Sequence, residues 1–168
     1  VLTGDLDGDG YEDFLAGSAL DDTAATNAGA WWAWLGPLSG SYDTDDADLV
    51  LLGDDVDYQL GGNPADLADV DEDGTDDLLV TVYSSFDTPT GGGAAWLFYG
   101  ALTGTIELAD AEADGAYFPG PTLYNLGANA EFADDLTGDG ELDLVFGANL
   151  ATYDTYTNGG MVFVMSSQ

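Results

Sequence analysis

Three short stretches concentrate the side chains able to do chemistry: Asp5-Leu-Asp-Gly-Asp-Gly-Tyr-Glu-Asp13, Asp69-Val-Asp-Glu-Asp-Gly-Thr-Asp-Asp77 and Asp135-Leu-Thr-Gly-Asp-Gly-Glu-Leu-Asp143. Carboxylates at alternate positions of a tight loop aim their oxygens at one point, and calcium takes about six to eight hard oxygen ligands at flexible distances. In the first loop this assigns Asp5, Asp7, Asp9 and Asp13 as side-chain ligands and the Tyr11 carbonyl as a further one. Gly10 permits the sharp turn. The second loop offers Asp69, Asp71, Asp73, the Thr75 carbonyl and Asp77, with Gly74 at the turn. The third offers Asp135, Asp139, the Glu141 carbonyl and Asp143, but Thr137 stands where a carboxylate is expected, so weaker binding is expected there. Magnesium demands a near-ideal octahedron and keeps its water, and zinc finds neither His nor Cys. The expectation is calcium, about three ions per chain.

Two rival readings of the loops fail. Asp-Gly clusters make ordinary turns in acidic proteins, but turn chemistry alone does not place three in one register. An EF-hand needs an acidic ligand at the twelfth loop position and a helix after it. That position holds Ala16, Val80 and Phe146, and the ninth-position Asp runs straight into an apolar segment. Catalysis is equally hard to assemble, because no His, Lys or Cys is present to act as base, nucleophile or oxyanion partner. Carboxylate pairs of the glycosidase kind remain, yet Glu12, Glu72 and Glu141 lie inside the acidic loops. The clusters Asp43 to Asp48 and Asp54 to Asp57 read as solvated turns. The chain is read as a non-enzyme.

A repeat must position the loops, and their starts are 64 and 66 residues apart. Each loop leads into a short apolar segment, Phe14-Leu-Ala-Gly17, Leu78-Leu-Val-Thr81 or Leu144-Val-Phe-Gly147, that reads as a buried strand. A second strand opens after a Gly in each repeat: Gly29-Ala-Trp-Trp-Ala-Trp-Leu35, Gly93-Ala-Ala-Trp-Leu-Phe-Tyr99 and Gly160-Met-Val-Phe-Val-Met165. Gly36-Pro-Leu-Ser-Gly40 matches Gly100-Ala-Leu-Thr-Gly104, and Tyr58-Gln-Leu-Gly-Gly-Asn63 matches Tyr124-Asn-Leu-Gly-Ala-Asn129. Further strands are expected at Leu49 to Leu52, around Ala116 to Phe118, and running into each loop, making about four per repeat, the count of a propeller blade. No segment keeps a helical period, and 24 glycines fit tight turns better than helices. The fold class is all-β, with repeats at approximately 1–57, 58–123 and 124–168 in one domain. Trp32, Trp34 and Trp96 are expected between neighbouring blades and Trp31 outward, where a sugar-stacking platform is the alternative reading.

On these residues the chain resembles the FG-GAP repeats of integrin α-subunit propellers, in which such a loop joins the first two strands of a blade. The Phe-Gly and Gly-Ala-Pro of the repeat correspond here to Leu60-Gly61 and Leu126-Gly127, and to Gly17-Ser-Ala19 and Gly147-Ala-Asn149. The second repeat departs with Thr81-Val-Tyr83. The resemblance implies a β-propeller, typically seven-bladed, with calcium holding the loops on one side and ligands bound on another. About 2.6 repeats are expected to form a partial propeller, with both termini falling within a blade, so the remaining blades come from a longer chain or from other copies of this one.

The chain has 33 acidic residues and no Lys, Arg or His, a formal net charge of −33. Phosphate backbones and anionic membranes are gripped by cationic side chains, so no nucleic-acid binding and no membrane docking is expected. No apolar run is long enough to cross a membrane. Self-repulsion of this size calls for bound cations, high salt, or both. The chain opens at Val1 without a signal-like segment, as expected of a piece of something longer. The leading reading is a calcium-binding extracellular or cell-surface module for adhesion or protein interaction, its partner basic or bound through calcium. Alternatives are a lectin-like glycan binder and a structural repeat of a surface fibre or large assembly.

Overall fold

A computed structural model describes residues 1–63, 65–82, 92–111, 115–121 and 123–166. Among these residues the chain is all-β, with twelve strands, one 3-10 turn at Thr44–Asp46 and no α-helix. The first sheet contains β1 (Leu2–Gly4), β2 (Asp13–Ser18), β3 (Ala30–Trp34) and β4 (Leu49–Leu52) as consecutive antiparallel neighbours. The second contains β5 (Ala65–Ala68), β6 (Asp77–Val82), β7 (Ala94–Phe98) and β9 (Gly115–Pro119) in the same order. The third contains β10 (Leu126–Ala133), β11 (Asp143–Ala148) and β12 (Met161–Ser166). Every apolar segment next to an acidic loop is thus a strand, as the repeat requires.

One strand breaks the simple order. β8 (Gly104–Glu107) follows β7 in sequence but pairs in parallel with β4 at the far edge of the first sheet, from Leu49 opposite Gly104 to Leu52 opposite Glu107. It carries a single large apolar residue, Ile106, and that side chain packs against the core beneath it. The second repeat therefore lends a strand to the first sheet.

Burial follows from how the sheets stack. Leu15, Trp31 and Leu49 of the first sheet meet Leu78, Val80, Trp96 and Phe98 of the second in one core. Leu79, Ala95 and Leu97, on the other face of the second sheet, meet Leu144, Phe146 and Ala148 of the third in another, where the Phe118 and Phe146 rings lie 5.4 Å apart. All of β6 and β7 is consequently buried, which is why those strands read as continuous apolar runs while β2 and β12 alternate.

The tryptophans correct the expectation for β3. Trp31, not Trp32 or Trp34, enters the core between the sheets and is 5% exposed. It lies opposite Gly17 on β2. Strand alternation then turns Trp32 and Trp34 to the face directed away from the second sheet, where Trp34 packs on Phe14 with ring centroids 5.7 Å apart. Trp96 lies between the sheets as expected.

Consecutive sheets are also joined through their backbones. Gly29 bridges Leu60 and Gly93 bridges Leu126, each pair parallel, with the Leu60 N–H donating to Ala28 (2.9 Å) and the Leu126 N–H to Gly92 (2.8 Å). Gly29 has φ +77°, and a Cβ there would collide with the Leu60 carbonyl. Gly17 of the first sheet makes a similar close approach to Gly61. At the corresponding point of the second sheet the Thr81 hydroxyl instead donates to the Gly127 carbonyl at 3.0 Å, so the departure from the repeat at Thr81 exchanges a bare contact for a hydrogen bond. Tyr83 lies outside the described residues.

These contacts predict unequal costs for two glycine substitutions. Gly29→Ala should lose about 3 kcal/mol, because left-handed strain adds to a backbone collision. Gly40→Ala, at φ +104° with nothing within 4 Å, should lose only about 1 kcal/mol. Urea denaturation of both variants measures the difference, and equal losses would show that the Gly29 approach is not tight.

Candidate metal centre

The first Asp of each loop organises the turn. Asp5 accepts hydrogen bonds from the N–H groups of Gly8 (2.8 Å), Asp9 (3.1 Å) and Gly10 (2.9 Å). Asp69 accepts from Asp73 (3.0 Å) and Gly74 (3.0 Å), and Asp135 from Gly138, Asp139 (3.1 Å) and Gly140 (3.0 Å). Closing the chain this tightly puts the fourth and sixth loop positions in the left-handed region: Gly8 and Gly10, Gly138 and Gly140, and in the second loop Glu72 (φ +59°) with Gly74. The sequence reading gives this role to the sixth position alone. Glycine at the fourth position of two loops out of three is the signal for the other.

Asp7 and Asp71 each accept from the N–H two residues on, that of Asp9 (3.1 Å) and Asp73 (3.2 Å). Asp9, Asp73 and Asp139 do the same with Tyr11 (2.9 Å), Thr75 (2.9 Å) and Glu141 (3.1 Å). The Thr75 hydroxyl also donates to Asp73 and the Ser166 hydroxyl to Asp139, and each holds its carboxyl below the usual value.

The ninth-position carboxylates are the buried ones, with Asp13 at 1% exposure and Asp77 and Asp143 at 0%. Asp13 accepts from Leu6 N–H (2.7 Å) and Gly36 N–H (2.6 Å), and Asp77 from Val70 N–H (2.9 Å) and Gly100 N–H (2.9 Å). Asp143 accepts from Leu136 N–H (2.6 Å), Thr137 N–H (2.7 Å) and the Thr137 hydroxyl (3.1 Å). Burial pushes the Asp13 carboxyl above its ordinary value against the pull of the Gly36 and Leu6 amides, and the charges of Asp7 and Asp5 push the same way. Asp77 is raised likewise by burial, opposed by Gly100 and Val70 and reinforced by Asp71 and Asp73.

The geometry brings together some of the expected ligands. Asp5, Asp7 and Asp13 each place a carboxylate oxygen within 4.8 Å of the others, and so do Asp69, Asp71 and Asp77. Asp9 and Asp73 lie outside these triads, and Asp135, Asp139 and Asp143 form no triad of this kind. Thr137, the residue that replaces a carboxylate, turns its hydroxyl onto Asp143 instead. The donors are all hard oxygens, and they converge where burial and like charge already oppose ionisation. That donor set fits a calcium-type cation. The first two loops are linked as well, since Asp5 N–H donates to Asp76 Oδ2 (2.8 Å) and Asp76 N–H to the Asp5 carbonyl (2.8 Å). A cleft walled by Asp69, Glu72, Asp135 and Glu141 separates the second loop from the third.

No family model matches the chain. Integrin alpha-IIb of Homo sapiens is 29% identical to it over 153 residues, and integrin alpha-4 of Xenopus laevis is 28% identical over 153 residues. The alignments cover 88% and 90% of this chain. They cover 14% of each relative. The chain is thus similar to a segment of integrin α subunits that spans about one seventh of their length. The integrin α relationship agrees with the FG-GAP pattern of the loops and with sheets that stack like propeller blades.

Two predictions follow from the loop geometry. Glu72→Gly should stabilise the protein by about 1 kcal/mol, because it relieves a left-handed non-glycine residue, and the shift in thermal midpoint measures it. Asp13 and Asp77 have folded pKa values raised above their unfolded ones, so in chelator their ionisation opposes folding fully above the raised values. That opposition fades as pH falls to the unfolded value. The contribution of Asp13 and Asp77 to the stability of the metal-free chain should therefore rise as pH is lowered from neutral into the acid range, against an opposite contribution from Asp73 and Asp139, and Asp13→Asn should remove part of that rise. An unchanged slope in the variant would remove Asp13 as its source.

Proposed function

We propose that the chain is a segment of a calcium-stabilised β-propeller, built of three repeats at approximately 1–57, 58–123 and 124–168, that serves outside the cell or at its surface as a module for adhesion or protein interaction. The observation that carries the reading is the pair of carboxylate triads in matching positions of two repeats, in a chain with 33 acidic and no basic side chains. Asp9 with the Tyr11 carbonyl, and Asp73 with the Thr75 carbonyl, complete the first two coordination shells. The third loop holds its ion more weakly through Asp135, Thr137, Asp139, Glu141 and Asp143, since one carboxylate is replaced by a hydroxyl.

Calcium acts structurally in this reading. It neutralises carboxylates that the fold forces together, at loops that tie each incoming strand to the rest of its sheet. The relationship to integrin α subunits supports a protein-binding rather than a catalytic role. Partners are basic surfaces, groups bound through calcium, or other units of the same repeat. A glycan platform on Trp31 finds no support, because that side chain is inside the core.

Native mass spectrometry with thermal unfolding, in calcium and after chelation, tests the proposal. Expected are about three ions per chain, the third lost at the highest free calcium, and a loss of about 1.4 kcal/mol per site when calcium had been tenfold above its dissociation constant. An ion-free chain with the same midpoint in both conditions would reduce the loops to acidic turns.

A further inference from the structure

The eighth loop position is Glu12, Asp76 and Leu142 in turn, and it supplies no ligand in the assignment above. In the second loop its side chain reaches the first. Asp76 Oδ2 accepts from the Asp5 N–H at 2.8 Å, and the Asp76 N–H donates back to the Asp5 carbonyl at 2.8 Å. Gly4 permits the approach, because a Cβ there would collide with Asp76 Oδ2. A Cβ on Gly8 would likewise press on the Thr75 methyl, so the two loops lie close at two points. Between the second loop and the third the same positions hold Ala68 and Leu142. No carboxylate is offered there, and Leu142 lines the cleft between the loops.

The tie engages ligand-bearing peptide units on both sides. The Asp76 N–H belongs to the same planar unit as the Thr75 carbonyl, an assigned ligand of the second site. The Asp5 carbonyl shares its unit with the Leu6 N–H, which donates to Asp13 of the first triad at 2.7 Å. Asp5 itself belongs to that triad. One run of hydrogen bonds therefore leads from the Asp13 carboxylate through two peptide planes to the Thr75 carbonyl. Turning either plane breaks the bond to the other loop and frees a ligand group there.

We infer that Asp76 is a positioning residue shared by the first two metal sites: it ligates neither ion, but it sets Asp5 for one and the Thr75 carbonyl for the other, so that these two sites fill as a pair while the third fills by itself. The inference rests on the calcium reading above and adds to it an order of loading. Repulsion within an empty triad strains the tie from either side. A cation that relieves the repulsion at one loop thereby holds the ligand geometry of the other, and the coupling is reciprocal.

Calcium titration followed by native mass spectrometry tests it, in chains whose third site is removed by Asp139→Ala. Two independent sites leave about half or more of the chains with a single ion at half-saturation, whereas a tenfold coupling leaves about a quarter. The Asp139→Ala chain should show the lower value. Adding Asp76→Ala should return the single-ion species to about half or more and weaken binding by about tenfold. Asp76→Asn keeps an oxygen for the Asp5 N–H and should restore the pairing. In chelator, hydrogen exchange at the Asp5 amide should be slow in the unaltered chain and in Asp76→Asn and faster in Asp76→Ala, which checks the tie without any ion. Independent filling of the Asp139→Ala chain would overturn the inference and leave the calcium reading standing. So would Asp76→Asn behaving like Asp76→Ala, the mark of a charge effect alone. An unaltered chain that binds no calcium would overturn both.

Discussion

The buried carboxylate at the ninth loop position is the contact on which the local architecture turns. Asp13 sits at the start of β2, yet its two oxygens hold the amide of Leu6 at the front of the loop and that of Gly36 beyond the end of β3. Asp77 does the same for Val70 and Gly100. One side chain thereby fixes the loop, the strand that leaves it and the neighbouring strand's exit. Hydrogen bonds to a charged group contribute about 1.5–3 kcal/mol each, but at Asp13 and Asp77 burial, reinforced by neighbouring carboxylates, outweighs the pull of the amides, so the ionised form is held at a net cost. With no basic side chain in the sequence, only amides and an external cation can sustain such a charge.

The loops in turn set the spacing of the stack. The residue after the first Asp is drawn inward by the ninth-position carboxylate, and this carries Leu6 and Val70 into successive inter-sheet cores. Polar and apolar layers are therefore coupled: weakening the carboxylate's hold on Leu6 would loosen a core residue, although the two lie on opposite sides of one amide. The glycine bridges at Gly29 and Gly93 pin the other end of each junction, so neighbouring sheets are fastened at the loop end by side chains and at the far end by backbone.

Much of this was legible in the sequence because a repeat averages out local ambiguity. A single Asp-Gly loop is a turn, whereas three in register, each followed by a buried strand and a Gly-initiated strand, define a unit. What stayed hidden depends on partners that the repeat does not encode. β8 is a short polar strand whose pairing with β4 is set by space at a sheet edge, and nothing in Gly104–Glu107 announces it. Alternation showed that Trp31 and Trp32 face opposite ways but could not say which way was inward. The packing of the second sheet decides that, because Trp31 shares with Leu15 and Leu49 the face that meets Leu78 and Val80. The tolerance of Glu72 for a left-handed conformation is likewise a property of the closed loop rather than of glutamate.

The arrangement also argues for a fastening role of any bound cation over a switching one. A switch needs a segment free to adopt two arrangements that the ion distinguishes. Here one member of each triad, Asp13 or Asp77, is immobilised by two backbone amides, and the first member is clasped by the loop's own N–H groups. The first loop is further tied to the second by reciprocal hydrogen bonds between Asp5 and Asp76. Little remains that could move without breaking the sheet behind it. A cation in such a place would relieve repulsion between groups already fixed, so its binding energy would go into holding the loop and the two paired strands that it joins.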